Sequence, residues 1–215
     1  MRRFIFQITP LYLMFASAGT TLAKELYLSA DEQNKYLKVM QKKLSPLKQL
    51  QAKFTQTREI SAFKDKLVSH GVFYFEFPSK LRWELIRPFK SLIIFDGYTA
   101  RKYRFHDNSW QQKEFAGSDF IKMIMEDILS WTRGDFTKTT DKYQLKISKQ
   151  HKIVLTPKNK KTTNFISAIE LSIDSKTQYI KKVAIKDPGK DYVTIEFTDM
   201  SDKPFSDKSL FKEQQ

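Results

Sequence analysis

The sequence predicts a mainly β, α+β fold: an antiparallel sheet that is strongly curved or closed into a barrel, with two helices set against it. Three observations carry this. Short segments of alternating apolar and polar residues recur along most of the chain, separated by turn residues at short, even intervals. One stretch, Gly71 to Gly97, is crowded with aromatic and branched residues and is cut by Pro78 and Pro88. Two segments alone carry apolar residues at helical spacing, one ahead of the strands and one interrupting them.

At the N-terminus, Arg2 and Arg3 precede the apolar run FIFQITPLYLMFASAG, which leads to Thr21-Leu22-Ala23. That is the positive, apolar, small-residue order of a secretory leader, with cleavage expected after Ala23. Gln7 and Pro10 interrupt the run, and it is short for a membrane span. The expectation is a leader over residues 1–23 and one domain over 24–215, a length that supports a sizeable core. The chain has no cysteine, so no disulfide braces it. It also lacks the residue that carries the lipid of a bacterial lipoprotein. A periplasmic protein without a lipid anchor is expected.

Ser29-Ala30-Asp31-Glu32 is a capping box, and Leu37, Met40, Leu44 and Leu47 follow at helical spacing. A helix over about 30–45, ending near Pro46, follows from this. Its stripe suits a helix packed permanently on the sheet and a helix covering an opening equally well.

From Gln49 to Ile60, Leu50, Ala52 and Phe54 share one strand face, and Gln56 and Arg58 continue it, so the far end of that face turns polar. In the strand Leu67 to Phe77, Phe73, Phe75 and Phe77 alternate. After the turn at Pro78-Ser79-Lys80, so do Leu81, Trp83 and Leu85. Period two therefore gathers six large apolar side chains on one surface. That surface is either the core of the domain or the lining of an apolar cavity.

The strands continue through Ser91 to Phe95, the Asp96-Gly97 turn, Tyr98 to Phe105 and Trp110 to Phe115. Ser118 then caps a second helix. Phe120, Ile121, Ile124, Ile128, Leu129 and Trp131 share its broad apolar face, and Gly134 stops it. A helix inserted midway through strands plugs or covers a curved sheet. Five further strands are expected at Tyr143–Ile147, Ile153–Leu155, Phe165–Ile173, Tyr179–Ile185 and Tyr192–Phe197.

The net charge is +14, from 38 Lys and Arg against 24 Asp and Glu. A solvated basic face accounts for it first, and affinity for anionic lipid head groups second. Nucleic acid is not an expected partner of an exported chain. His70, His106 and His151 lie far apart without metal-ligand spacing, and no nucleophile motif or phosphate-binding loop occurs. Glu126 and Asp127 are adjacent, so on a helix they point about 100° apart and make a poor acid/base pair. No catalytic constellation, cofactor or metal site assembles. The sequence reads as a binder rather than an enzyme.

A set of short pieces in order carries a resemblance: Phe54-x-Gln56, Ser69-x-Gly71-x-Phe73, Pro78-x-x-Leu81-Arg82-Trp83-Glu84, Pro88, Asp96-Gly97 and Leu210-Phe211. In this set the chain resembles the LolA family, periplasmic carriers of outer-membrane lipoproteins. The resemblance implies an incomplete antiparallel β-barrel with helices as a lid over an apolar cavity. It implies a monomer that takes acylated cargo from an inner-membrane exporter to an outer-membrane acceptor. The cargo would be a lipoprotein or another envelope lipid such as a glycolipid or aryl polyene.

Leu81, Trp83 and Leu85 match interior lipid-contacting positions, and Phe54, Phe73, Phe75 and Phe77 would face the same cavity. Leu37, Met40, Leu44, Ile124 and Ile128 would belong to the lid. Where the family carries an arginine that helps hold the lid shut, this chain has Phe77. A related sheet domain that senses lipid or scaffolds a protein without transport is the alternative role.

Overall fold

Local signals set the first helix. Residues 26–62, 64–113, 118–189, 191–207 and 209–212 are described by the computed structural model; the expected leader, Phe115, and the side chains of Phe120 and Ile121 lie outside this set. In α1 (Ala30–Leu44) the Ser29 side chain accepts from the Glu32 amide, while the Ser29 amide donates to the Glu32 carboxylate at 2.8 Å. This is the expected reciprocal cap. Met40 and Leu44 are the buried residues of its stripe.

The strands are β1 (Gln49–Glu59), β2 (Leu67–Glu76), β3 (Lys80–Arg87), β4 (Ser91–Phe95), β5 (Ala100–His106) and β6 (Ser109–Lys113). The inserted helix α2 (Ser118–Thr132) and a short turn α3 (Thr139–Lys142) follow. Then come β7 (Tyr143–Ile147), β8 (Lys152–Pro157), a turn α4 (Lys160–Thr163), β9 (Ala168–Ile173), β10 (Ile180–Lys186) and β11 (Tyr192–Ser201). Gly134 terminates α2 with φ +68, where a side chain would be strained.

All strands among the described residues form a single sheet of 11, in the order β6-β5-β4-β3-β2-β1-β11-β10-β9-β8-β7. The first strand pairs with the last, Phe54 opposite Phe197, so two antiparallel meanders join in the middle. β6 and β7 remain as edges, and the sheet is an open, incomplete barrel as expected. One expected strand starts late. Phe165 is exposed, because Asn159 caps a helical turn by accepting from the Thr162 amide at 2.8 Å, which delays β9 to Ala168.

Two apolar clusters fill the concave side. One joins Met40 and Leu44 of α1 to Tyr143, Ile147, Ile153 and Leu171 of β7–β9. The other joins Met125 and Leu129 of α2 to Phe54, Phe73, Phe75, Leu81 and Phe95 of β1–β4. Gly71 is required by a close approach: a Cβ there would meet the Phe54 ring at 2.3 Å and the Glu84 carbonyl at 2.2 Å. The convex side carries a third cluster of Leu92, Ile94 and Tyr103, against which Phe211 packs. Arg82, only 8% exposed, donates to the Leu210 carbonyl at 2.8 Å and grips Glu84 Oε2 through Nε and Nη2. That grip pins the C-terminal segment to the back of the sheet.

Candidate functional site

The concave face is built in rows by strand register. Phe73 stands opposite both Ala52 and Trp83, and Trp83 opposite Ile93. On the other side of the seam Phe197 reaches this row, with its ring centroid 5.9 Å from Phe73 and 6.0 Å from Trp83. Phe54 packs on Trp83 at 4.3 Å. These four rings make an aromatic floor.

Above it lies a hollow of about 80 Å³. Its far wall comes from β9–β11 through Ile169, Val183 and Ile195, and its cover from α2 through Ile124, Ile128 and Trp131. Thr132 and Tyr179 bring the only hydroxyls among the described lining residues, and both are spent internally. Thr132 donates to the Ile128 carbonyl at 2.7 Å and Tyr179 to Asp202 at 3.3 Å. The hollow therefore offers dispersion contact and almost no hydrogen bonding.

The expected side chains divide by depth. Phe73 and Trp83 line the hollow, and so do Ile124 and Ile128. Phe54, Phe75 and Leu81 are buried in the cluster beneath it, and Leu85 packs at that cluster's margin. Leu37, Met40 and Leu44 were expected in a lid; they pack instead against the β7–β9 cluster and do not line the hollow. α1 is thus a brace.

Phe77 is a second correction. β2 ends at Glu76, and the Phe77 ring leaves the shared face to become 37% exposed. Lys48 Nζ lies 4.5 Å and the Arg133 guanidinium 4.2 Å from the ring centroid. Arg133, just beyond α2, also donates to the Ser45 carbonyl at the end of α1 at 2.7 Å. The two helix ends are thus clasped by an arginine stacked on Phe77.

The C-terminal half of α2 is anchored more firmly. Asp127 is buried, accepting from Lys142 Nζ at 2.8 Å and from the Tyr143 hydroxyl at 2.9 Å. Burial pushes the Tyr143 phenol well above its usual range, and Asp127 adds to this. Trp131 Nε1 donates to Thr139 Oγ1 at 2.9 Å. Asp127 therefore ties α2 to the Lys142-Tyr143 step. The lining from β10 and β11 was missed: Ile195 and Phe197 alternate along β11 and Val183 pairs with Ile195, but nothing local says that β11 returns beside β1.

Residues 45–214 match the family model described as outer membrane lipoprotein carrier protein LolA. The chain belongs to the LolA family. Similar solved structures include a LolA superfamily protein from Nitrosomonas europaea, at 11% identity over 82% of this chain and 97% of that one, with a TM-score of 0.43. A conserved protein from Thermus thermophilus matches at 11% identity over 85% of this chain and 93% of that one, with a TM-score of 0.49. The MucA/MucB complex of Pseudomonas aeruginosa matches at 13% identity over 84% of this chain and 62% of that chain, with a TM-score of 0.46. No curated protein matches. Among the described residues, no helix is long and apolar enough to cross a membrane.

Proposed function

We propose that this LolA-family chain is a non-enzymatic periplasmic carrier. In this reading it holds the acyl chain of a lipoprotein or related envelope lipid in the hollow beneath α2. It passes the cargo from an inner-membrane exporter to an outer-membrane acceptor, touching each membrane transiently. The leader over residues 1–23 and the single domain over 24–215 belong to the same reading. Phe73 and Trp83 contact the tail, Ile124 and Ile128 cover it, and Phe54, Phe75, Leu81 and Leu85 support the floor.

The observation that carries the proposal is an apolar hollow with its hydroxyls internally satisfied, one wall of which is a separate helix. At about 80 Å³ it is smaller than the roughly 150 Å³ cavity that admits benzene, so a tail enters only if the α2 side chains that cover it give way. That suits a carrier. Burying about 14 methylenes is worth on the order of 11 kcal/mol, which unopposed would trap the cargo. Displacing Ile124, Met125, Ile128 and Leu129 from their own contacts costs about 6–12 kcal/mol at 1.5–3 kcal/mol each. Loading exchanges one apolar packing for another, and release stays accessible.

Native mass spectrometry of protein extracted from its envelope without detergent tests this. The wild type is expected to carry adducts of acyl-lipid mass, and Ile128→Glu to lose them while keeping its circular dichroism. An adduct-free wild type, or an equally loaded Ile128→Glu, would count against a carrier.

A further inference from the structure

The concave face does not end where its apolar rows end. Followed through the register, Trp83 stands opposite Ile93, Ile93 opposite Lys102, and Lys102 opposite Lys113. In the next row Leu85 stands opposite Ser91 and Ser91 opposite Arg104. Two strand spacings, about 10 Å, thus carry the same face from aromatic to cationic.

A groove of about 820 Å³ lies there, reaching from Arg58 of β1 to Arg104 and Lys113, with Lys90 at its turn. Among the described residues lining it, none is acidic. Leu85 lines this groove and also packs against the cluster beneath the hollow, so the groove begins where that cluster ends. Burial holds the Lys102 ammonium below the usual lysine range, and Arg104 beside it adds to this. A concave wall of one sign concentrates the field and draws in an anion.

We infer that this groove seats the anionic head, a phosphate or carboxylate, of an amphiphile whose tail lies in the adjoining hollow. The assignment rests on the carrier reading and extends it. The groove discriminates among cargoes by head-group charge, while the hollow accepts any tail of suitable length. Guanidinium and ammonium donors suit phosphate and carboxylate oxygens, and the contacts are charge-assisted.

Calorimetric titration with three probes tests the inference: 1-myristoyl-glycerol, the lysophosphatidylglycerol of the same tail below its micelle concentration, and inorganic phosphate. The wild type is expected to bind the anionic lipid about tenfold more tightly than the neutral one. Raising salt should narrow that gap. Arg104→Ser combined with Lys113→Ser, both at exposed positions, is expected to bring the two lipids within about twofold and leave the neutral lipid's affinity unchanged.

Equal affinity of the wild type for both lipids would overturn the head-group seat and leave the carrier reading standing. Failure of both lipids to bind would overturn both readings. Phosphate alone binding as tightly as the anionic lipid would make the groove a free-anion site and overturn the lipid assignment.

Discussion

Truncating Met125 to alanine separates a movable cover from a permanent core. Met125 is 6% exposed and sits in the cluster between α2 and β1–β4, without lining the hollow itself. Its contacts therefore favour the closed form and contribute nothing to a bound tail. A buried Met→Ala change costs about 2–5 kcal/mol. Taking about 2 kcal/mol, the melting temperature should fall by roughly 4–8 °C.

The same loss makes the cover easier to displace. At 1.4 kcal/mol per decade, lipid affinity should rise by up to about 30-fold. A fluorescent fatty-acid titration beside thermal unfolding reads both quantities. Opposite signs, lower stability with tighter binding, are the expected pattern. Affinity that stays constant or falls along with stability would refute the exchange mechanism.

The remaining predictions concern the supports. Arg133→Met removes the bond to the Ser45 carbonyl and the stack on Phe77. Worth about 1 kcal/mol at this exposed clasp, its loss should speed acyl loading about fivefold in stopped-flow mixing; unchanged rates would argue against a clasp. Phe77→Arg sets a third cation beside Lys48 and Arg133, so it should loosen the clasp and also speed loading, and slower loading would contradict this. Arg82→Ala strips Glu84 and the Leu210 carbonyl of their donor; a loss of about 3–5 kcal/mol by denaturant titration, with faster proteolysis of the C-terminal segment, is expected, and a loss below about 1 kcal/mol would show the grip to be dispensable. Gly71→Ala drives a methyl into the Glu84 carbonyl and the Phe54 ring; about 2 kcal/mol or more of destabilisation should come with a shifted Trp83 emission, and a neutral effect would mean the strands simply part.

Much of the fold was legible because period two and a capping box are local signals. Phe73, Phe75, Leu81 and Trp83 share a face by parity alone, and Ser29 with Glu32 marks the start of α1. Depth along that face was not legible. Phe75 and Leu81 are sealed in the cluster while Phe73 and Trp83 border open space, and what lies above a row depends on where α2 crosses. Parity also misplaced Phe77, since β2 stops one residue short and the ring turns out toward Arg133. Arg82 points away from the concave face and is nonetheless buried, by a segment far along the chain. Each of these features depends on a contact made by a sequence-distant element.

The most direct test uses the three tryptophans as depth markers. Trp83 and Trp131 border the hollow, whereas Trp110 packs with Leu92, Ile94 and Tyr103 on the convex side. Single-tryptophan variants, with the other two changed to phenylalanine, would be titrated with a fatty acid brominated near its tail. Contact quenching of Trp83 and Trp131, with Trp110 untouched, is the predicted result. Quenching of Trp110 alone, or of none, would contradict a tail lying between α2 and the sheet.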